Sequence, residues 1–254
     1  MTGSRKIESF QMKGTHHDYQ ITVSIPDTTP PQNGFPVLYI LDGDAYFILT
    51  NEILRLQSRR VEKTKVEEMI LVGIGYPDTD VFHSYRVYDF TTPAIEEHLP
   101  TRPDGQPWPA HGGADAFLTV IEKQLMPVIR EHYPIDATRQ ALFGHSLGGL
   151  FSLYTLFEKA DLFAEYIAFS PSIWWNNRAI LAKEQNLDKH LAKRLFIAVE
   201  HTEQKNMYRE AYGLYTRLQE ADRLITIDFF ASKEDNHMSI VPTAMSRALR
   251  FLWK

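Results

Sequence analysis

Residues 141–154 read Ala141-Leu142-Phe143-Gly144-His145-Ser146-Leu147-Gly148-Gly149-Leu150-Phe151-Ser152-Leu153-Tyr154. An apolar run ends at Phe143, a glycine-rich turn carries one serine, and an almost wholly apolar segment follows. The pattern G-x-S-x-G at 144–148 arises by chance about one time in twelve in a chain of this length. Its setting is far more specific. A buried strand, a tight turn and a buried helix are what a nucleophile elbow demands. The serine sits in strained backbone, so its neighbours at −2 and +2 are expected to be small. Its hydroxyl is lifted above a sheet at a helix N-terminus, where the Leu147 amide faces a developing oxyanion.

The same alternation recurs on both sides of this segment. Short apolar runs at 37–41, 69–75, 140–143, 166–169, 195–199 and 224–230 read as strands, mostly buried on both faces. Residues 19–25 alternate apolar and polar, as a half-buried antiparallel or edge strand does. Helical periodicity marks 45–57, 114–132, 147–158, 178–191, 206–221 and 239–253. Strand–helix alternation over the whole length predicts an α/β fold with a mostly parallel central sheet flanked by helices. At 254 residues the chain suits one domain, 1–254. Residues 76–113 are rich in Pro, Asp and Gly and lack periodicity, which marks a functional rim or a mobile loop in preference to a linker.

Composition narrows the chemistry. Lys and Arg total 27 against 32 Asp and Glu, a net charge of −5 with no long basic run, so nucleic acid is not an expected partner. There is no Cys, which removes disulfides, thiolate metal sites and cysteine catalysis. No nucleotide-binding glycine motif and no H-E-x-x-H or comparable metal spacing occurs, so neither cofactor nor metal is expected. Residues 1–20 are polar, without a secretory apolar core, and no apolar run approaches 18 residues. A cytoplasmic protein without membrane contact is expected, acting on a small-molecule ester.

The base must follow the serine and an acid in chain order. His190, His201 and His237 qualify. His237 lies between the last strand and the last helix, at the carboxyl end of the sheet where the base belongs. Glu203 is the expected acid, following the strand at 195–199; Glu200 reads as still within that strand, and a Ser–His dyad stays open. The second oxyanion amide is expected after the first buried strand, in Leu41-Asp42-Gly43-Asp44, from Asp44 in preference to Gly43. Trp174 and Trp175 follow a strand's carboxyl end and offer flat faces to an aryl group, with core packing as the alternative. Arg86 either contacts an anionic substrate or pairs with Asp89. Residues 103–109 are expected to form a rim loop, and His16-His17 an exposed pair.

Three stretches resemble the enterochelin-esterase-like and ferri-bacillibactin-esterase-like siderophore esterases. They are Pro36-Val37-Leu38-Tyr39-Ile40-Leu41-Asp42-Gly43-Asp44-Ala45-Tyr46-Phe47, the segment 142–151 quoted above, and Ser170-Pro171-Ser172-Ile173-Trp174-Trp175. The resemblance implies an α/β-hydrolase fold without a large lid domain. It implies serine-dependent hydrolysis of trilactone siderophores of the enterobactin or bacillibactin type, often as ferric complexes. Ser146 then matches the nucleophile, His237 the base, and Leu147 and Asp44 the oxyanion donors. The family's Gly-x-x-Glu is here Glu200-His201-Thr202-Glu203, without the glycine. Feruloyl and small aryl esters are the alternative substrates, and an inactive hydrolase scaffold that only binds is the alternative class.

Overall fold

The computed structural model describes residues 4–78, 80–102, 104–188, 190–201, 206–221 and 224–253. Its strands are β1 (Arg5–Lys13), β2 (Asp18–Pro26), β3 (Phe35–Leu41), β4 (Ile70–Gly75), β5 (Ile135–His145), β6 (Glu165–Phe169), β7 (Lys193–Glu200) and β8 (Ile225–Ser232). They form one sheet in the order β1-β2-β4-β3-β5-β6-β7-β8. Pairing is antiparallel for β1–β2 and β2–β4 and parallel from β4 to β8.

The helices are α1 (Gly43–Gln57), α2 (Val61–Thr64), α3 (Tyr85–Phe90), α4 (Ala114–Val120), α5 (Met126–His132), α6 (Leu147–Glu158), α7 (Trp175–Arg178), α8 (Met207–Glu220) and α9 (Ile240–Phe251). One face of the sheet is covered by α1 and α9, whose Phe47, Leu54, Ile240 and Met245 pack on Leu38, Ile40 and Phe143. The opposite face carries α4, α5, α6 and α8, with Phe117, Ile129, Phe151 and Leu214 against Tyr39, Leu142 and Ile197. With helices on both faces, β3 is buried along its whole length, which is why its sequence is a continuous apolar run. Each large apolar side chain buried in this way contributes roughly 1.5–3 kcal/mol.

The expected α/β arrangement is therefore present, with three differences. β1 lies where no element was anticipated. Its residues alternate between a half-buried and an exposed face, as a polar edge strand does. The helix expected over 114–132 is continuous but widens into a π turn at Ile121–Leu125. Pro127, one residue into α5, has no N–H to give the preceding turn, and the wider turn accommodates it. The helix expected over 178–191 is instead a 3₁₀ stretch, Ala179–Asn186, entered through left-handed Asn176, Asn177 and Arg178. No helix among the described residues is long and apolar enough to cross a membrane.

In the strand order, β3 connects outward to β4 on one side and β5 lies on the other. Connections reverse direction at that point, so a crevice opens above the carboxyl ends of β3 and β5. Leu41–Asp44 and His145–Leu147 end there.

Candidate active site

Ser146 occupies the turn between β5 and α6 with φ 59° and ψ −117°, a conformation that side-chain-bearing residues rarely adopt. The surrounding backbone enforces it. Ser146 N–H donates to the Phe169 carbonyl (2.9 Å), and the Ser146 carbonyl accepts from Leu150 (2.9 Å) and Ser172 (3.1 Å). A Cβ at Gly144 would lie 2.1 Å from the Gly148 carbonyl oxygen, so glycine is obligatory there. The +2 position differs from expectation. A Cβ at Gly148 meets nothing closer than 3.4 Å, whereas one at Gly149 would lie 2.7 Å from the Phe169 carbonyl oxygen. Close approach of α6 to β6 is thus set by Gly149.

Leu147 opens α6, and the first amides of a helix have no acceptor within it. Its N–H is available above the strand ends. The opposing amide comes from the β3–α1 turn. Asp42 is left-handed (φ 51°, ψ 52°), and its carbonyl accepts from Ala45 (3.0 Å) and Tyr46 (3.1 Å), which leaves the amides of Gly43 and Asp44 outside that pattern. Asp44 turns its carboxylate toward the end of β4, where it accepts the Tyr76 amide at 3.0 Å. Gly75 makes room for it: a Cβ there would stand 2.3 Å from Asp44 Oδ2.

Arg86 belongs to this turn rather than to a substrate pocket. Its guanidinium pairs bidentately with buried Asp42, Nε to Oδ1 at 2.7 Å and Nη2 to Oδ2 at 2.9 Å. It also lies over the rings of Phe82 and Phe90. The expected partner, Asp89, instead accepts from Tyr76 (2.9 Å) and Tyr19 (3.3 Å) and pairs with His17 (2.7 Å). His17 is accordingly half-buried, its ring stacked on Tyr85, and not half of an exposed pair.

His237 sits between β8 and α9. Asn236 Oδ1 accepts from the amides of Met238 (2.8 Å) and Ser239 (3.1 Å), which closes a tight turn around the histidine. Asp235 accepts from Ser239 Oγ and Thr243 Oγ1 and fastens the turn to α9. The imidazole is hydrogen-bonded through Nδ1 to Glu200 Oε1 at 2.9 Å. Glu200 is 1% exposed and ends β7; its other oxygen accepts a short hydrogen bond from Ser170 Oγ. Burial alone would raise the Glu200 pKa, but the hydrogen bonds from His237 and Ser170 outweigh it and hold the carboxyl below its ordinary range. Ser170 is left-handed at φ 40°. Glu203 lies outside the described residues. His201 stacks face to face on Tyr208 at 3.8 Å.

Ser146 and His237 line one cavity of about 550 Å³ together with Pro100, Ser172, Trp174, Asn206 and Met207. Ser172 Oγ stands 3.4 Å from the Ser146 hydroxyl. Trp174 stands on the wall of this cavity. Trp175 does not: it is 1% exposed, donates its indole N–H to the Thr92 carbonyl (3.0 Å) and packs in the core. A second cavity of about 490 Å³ adjoins through Pro100 and is lined by residues 105–111 and their neighbours. This rim loop is fastened by Arg102 to the Pro107 carbonyl (2.9 Å) and by Trp108 Nε1 to the Pro100 carbonyl (2.8 Å). Trp108 packs beside Trp174, ring centres 5.9 Å apart.

A serine in a strained turn, a carboxylate-bound imidazole on the same cavity and two helix-start amides are the parts of an acyl-transfer site. The family model described as "Putative esterase" matches residues 13–231. The chain belongs to this esterase family. It is 41% identical over 97% of its length to the ferri-bacillibactin esterase BesA of Bacillus subtilis, of which 88% is covered. It is 34% identical over 98% of its length to a siderophore enterobactin esterase of Emericella nidulans, of which 94% is covered. The crystal structure of the BES protein from Bacillus cereus superposes with a TM-score of 0.91 at 41% identity, covering 98% of this chain and 96% of that one. The fold is that of an α/β-hydrolase, and the enzyme is an ester hydrolase.

Proposed function

We propose that this esterase opens the ester bonds of catecholate trilactone siderophores, with Ser146 as nucleophile, His237 as base and Glu200 as acid. The observation that carries the reading is Ser146 and His237 on the wall of one largely apolar cavity, in a chain 41% identical to a ferri-bacillibactin esterase. Ser146 attacks the ester carbonyl while His237 removes its proton. Glu200 fixes the imidazole with its proton on Nδ1 and stabilises the imidazolium that forms. The amides of Leu147 and Asp44 hold the tetrahedral oxyanion; the loss of one such donor typically costs about 10²–10³ in rate. His237 returns the proton to the departing alcohol, and water repeats the sequence to free Ser146.

Assignment of the acid to Glu200 rests on its 2.9 Å contact with His237. Trp174 offers an aromatic face to an acyl arm inside the cavity, and the adjoining cavity behind Pro100 gives a second arm somewhere to lie. The proposed site of action is the cytoplasm, with which the absence of cysteine is compatible. The test is a comparison of kcat/KM on apo and ferric trilactones with that on p-nitrophenyl and feruloyl esters. Trilactones are expected to be turned over best. A preference of several orders of magnitude for a short aryl ester would defeat the substrate assignment.

A further inference from the structure

We propose that Tyr46 and His145 form a hydrogen-bonded strut that positions His237 for proton transfer and ties it to the helix carrying the Asp44 amide. Neither residue lines the cavity, and neither is used by the chemistry above. The inference rests on the reading of Ser146, His237 and Glu200 as the catalytic groups.

His145 precedes the nucleophile and is 1% exposed; Tyr46, in the first turn of α1, is 4% exposed. Tyr46 Oη lies 2.7 Å from His145 Nδ1, and the two rings meet edge to face. On its other side the His145 ring packs against His237, centroids 4.5 Å apart and planes 42° apart. One contact chain therefore joins three segments remote in sequence: the oxyanion turn, the nucleophile elbow and the base loop.

The protonation states of the strut are fixed by its surroundings. Burial, reinforced by the nearby Asp42 carboxylate, raises the Tyr46 pKa well above its ordinary value, so the phenol keeps its proton and donates it. Burial, with His237 and Arg86 adding to it, pushes His145 down to about 3, so the ring is neutral wherever ester hydrolysis is measured. With Nδ1 accepting from Tyr46, the remaining proton is on Nε2. That nitrogen is buried and has no hydrogen-bond partner among the described residues. A cation here would oppose the imidazolium that forms on His237. A neutral ring of fixed tautomer supports the base without that repulsion. Proton transfer depends steeply on such placement: a misplacement of about 1 Å can cost about 10²-fold.

Both are positioning residues, so the test separates kcat from KM. Tyr46→Phe keeps the ring and removes the hydroxyl. With the protein folded by circular dichroism, it is expected to lower kcat about tenfold, the worth of one buried hydrogen bond, with KM within twofold of wild type. His145→Gln is expected to lower kcat at least as much, and the double variant to be no worse than the poorer single variant. A kcat for Tyr46→Phe within twofold of wild type, a raised KM at unchanged kcat, or additive losses would overturn the strut. If His145→Gln does not fold, Tyr46→Phe decides alone. Ser146→Ala is run in parallel. If it retains turnover, the catalytic reading itself falls; if it is inactive while Tyr46→Phe is normal, only the strut falls.

Discussion

Substitution of Glu200 by Gln separates a triad from a dyad. Glu200 is buried, and its Oε1 lies 2.9 Å from His237 Nδ1. In the proposed mechanism His237 accepts the serine proton, and a full charge pair then forms across that contact. Charges about 4 Å apart at an effective dielectric constant of about 20 attract by about 4 kcal/mol. Charge-assisted hydrogen bonds give up to about 3 kcal/mol by mutation. Glu200→Gln keeps the shape and an acceptor for Ser170 but loses the charge. Its amide can also donate to Nδ1 and impose the wrong tautomer. The expected fall in kcat is about 10²–10³, from about 3–4 kcal/mol at 1.36 kcal/mol per decade, with KM within twofold. Steady-state kinetics on a p-nitrophenyl ester measure this, with melting curves to certify folding. Glu203→Gln is the control and is expected to stay within threefold of wild type. A folded Glu200→Gln enzyme within threefold of wild type would rule out Glu200 as the acid, as would a larger loss from Glu203→Gln.

Other outcomes follow from the same geometry. Gly144→Ala drives a methyl group into the Gly148 carbonyl and is expected to abolish activity and cost at least about 1–3 kcal/mol, whereas Gly148→Ala, whose added methyl meets nothing closer than 3.4 Å, is expected to keep the fold; paired melting curves test the contrast. Arg86→Ala leaves Asp42 buried and unpaired, so a loss of about 3–5 kcal/mol is expected in denaturant titration. A milder Arg86→Lys is expected to change KM equally for anionic and neutral esters, because the guanidinium faces Asp42; a selective rise for the anionic ester would contradict that placement. Glu165, buried under the Trp253 amide, is raised by burial to about 7. A carboxyl raised on folding favours its protonated form in the native state. Its contribution is therefore full below about pH 4.5 and lost as the pH rises through 7. Glu165→Gln should thus gain on wild type between pH 5 and pH 8 by up to about 3 kcal/mol in unfolding free energy; a constant difference would count against it.

Much of the fold was legible because its signals are local. The runs at 37–41 and 166–169 are continuous and apolar because their strands are buried on both faces, and the elbow declares itself within fourteen residues. β1 escaped because an edge strand carrying Arg5, Lys6, Glu8 and Lys13 has no apolar run to show. The helix expected at 178–191 failed for a different reason: left-handed Asn176, Asn177 and Arg178 redirect the chain in a way periodicity does not report.

At the site, residues fixed by chain order were readable, and residues fixed by tertiary pairing were not. Ser146 and His237 fall where topology demands. Arg86 and Asp42 are 44 positions apart, and His17 and Asp89 are 72 apart; sequence offered Arg86 a nearer carboxylate and the fold a better one. In sequence Glu200 reads as a strand residue, which it is. The carboxyl end of β7, however, is itself at the level of the site, so a side chain on its last residue reaches His237 directly. The adjacent tryptophans divide because consecutive side chains leave the turn in different directions, Trp174 to the cavity and Trp175 to the core.

The most direct measurement is peptide-resolved mass spectrometry after exposure of the folded enzyme to a fluorophosphonate, with and without a ferric catecholate trilactone. One stoichiometric adduct is expected, on Ser146, formed more slowly when the trilactone is present and absent in Ser146→Ala. Failure of the folded protein to label, or an adduct at another residue, would contradict the assignment of Ser146 as nucleophile.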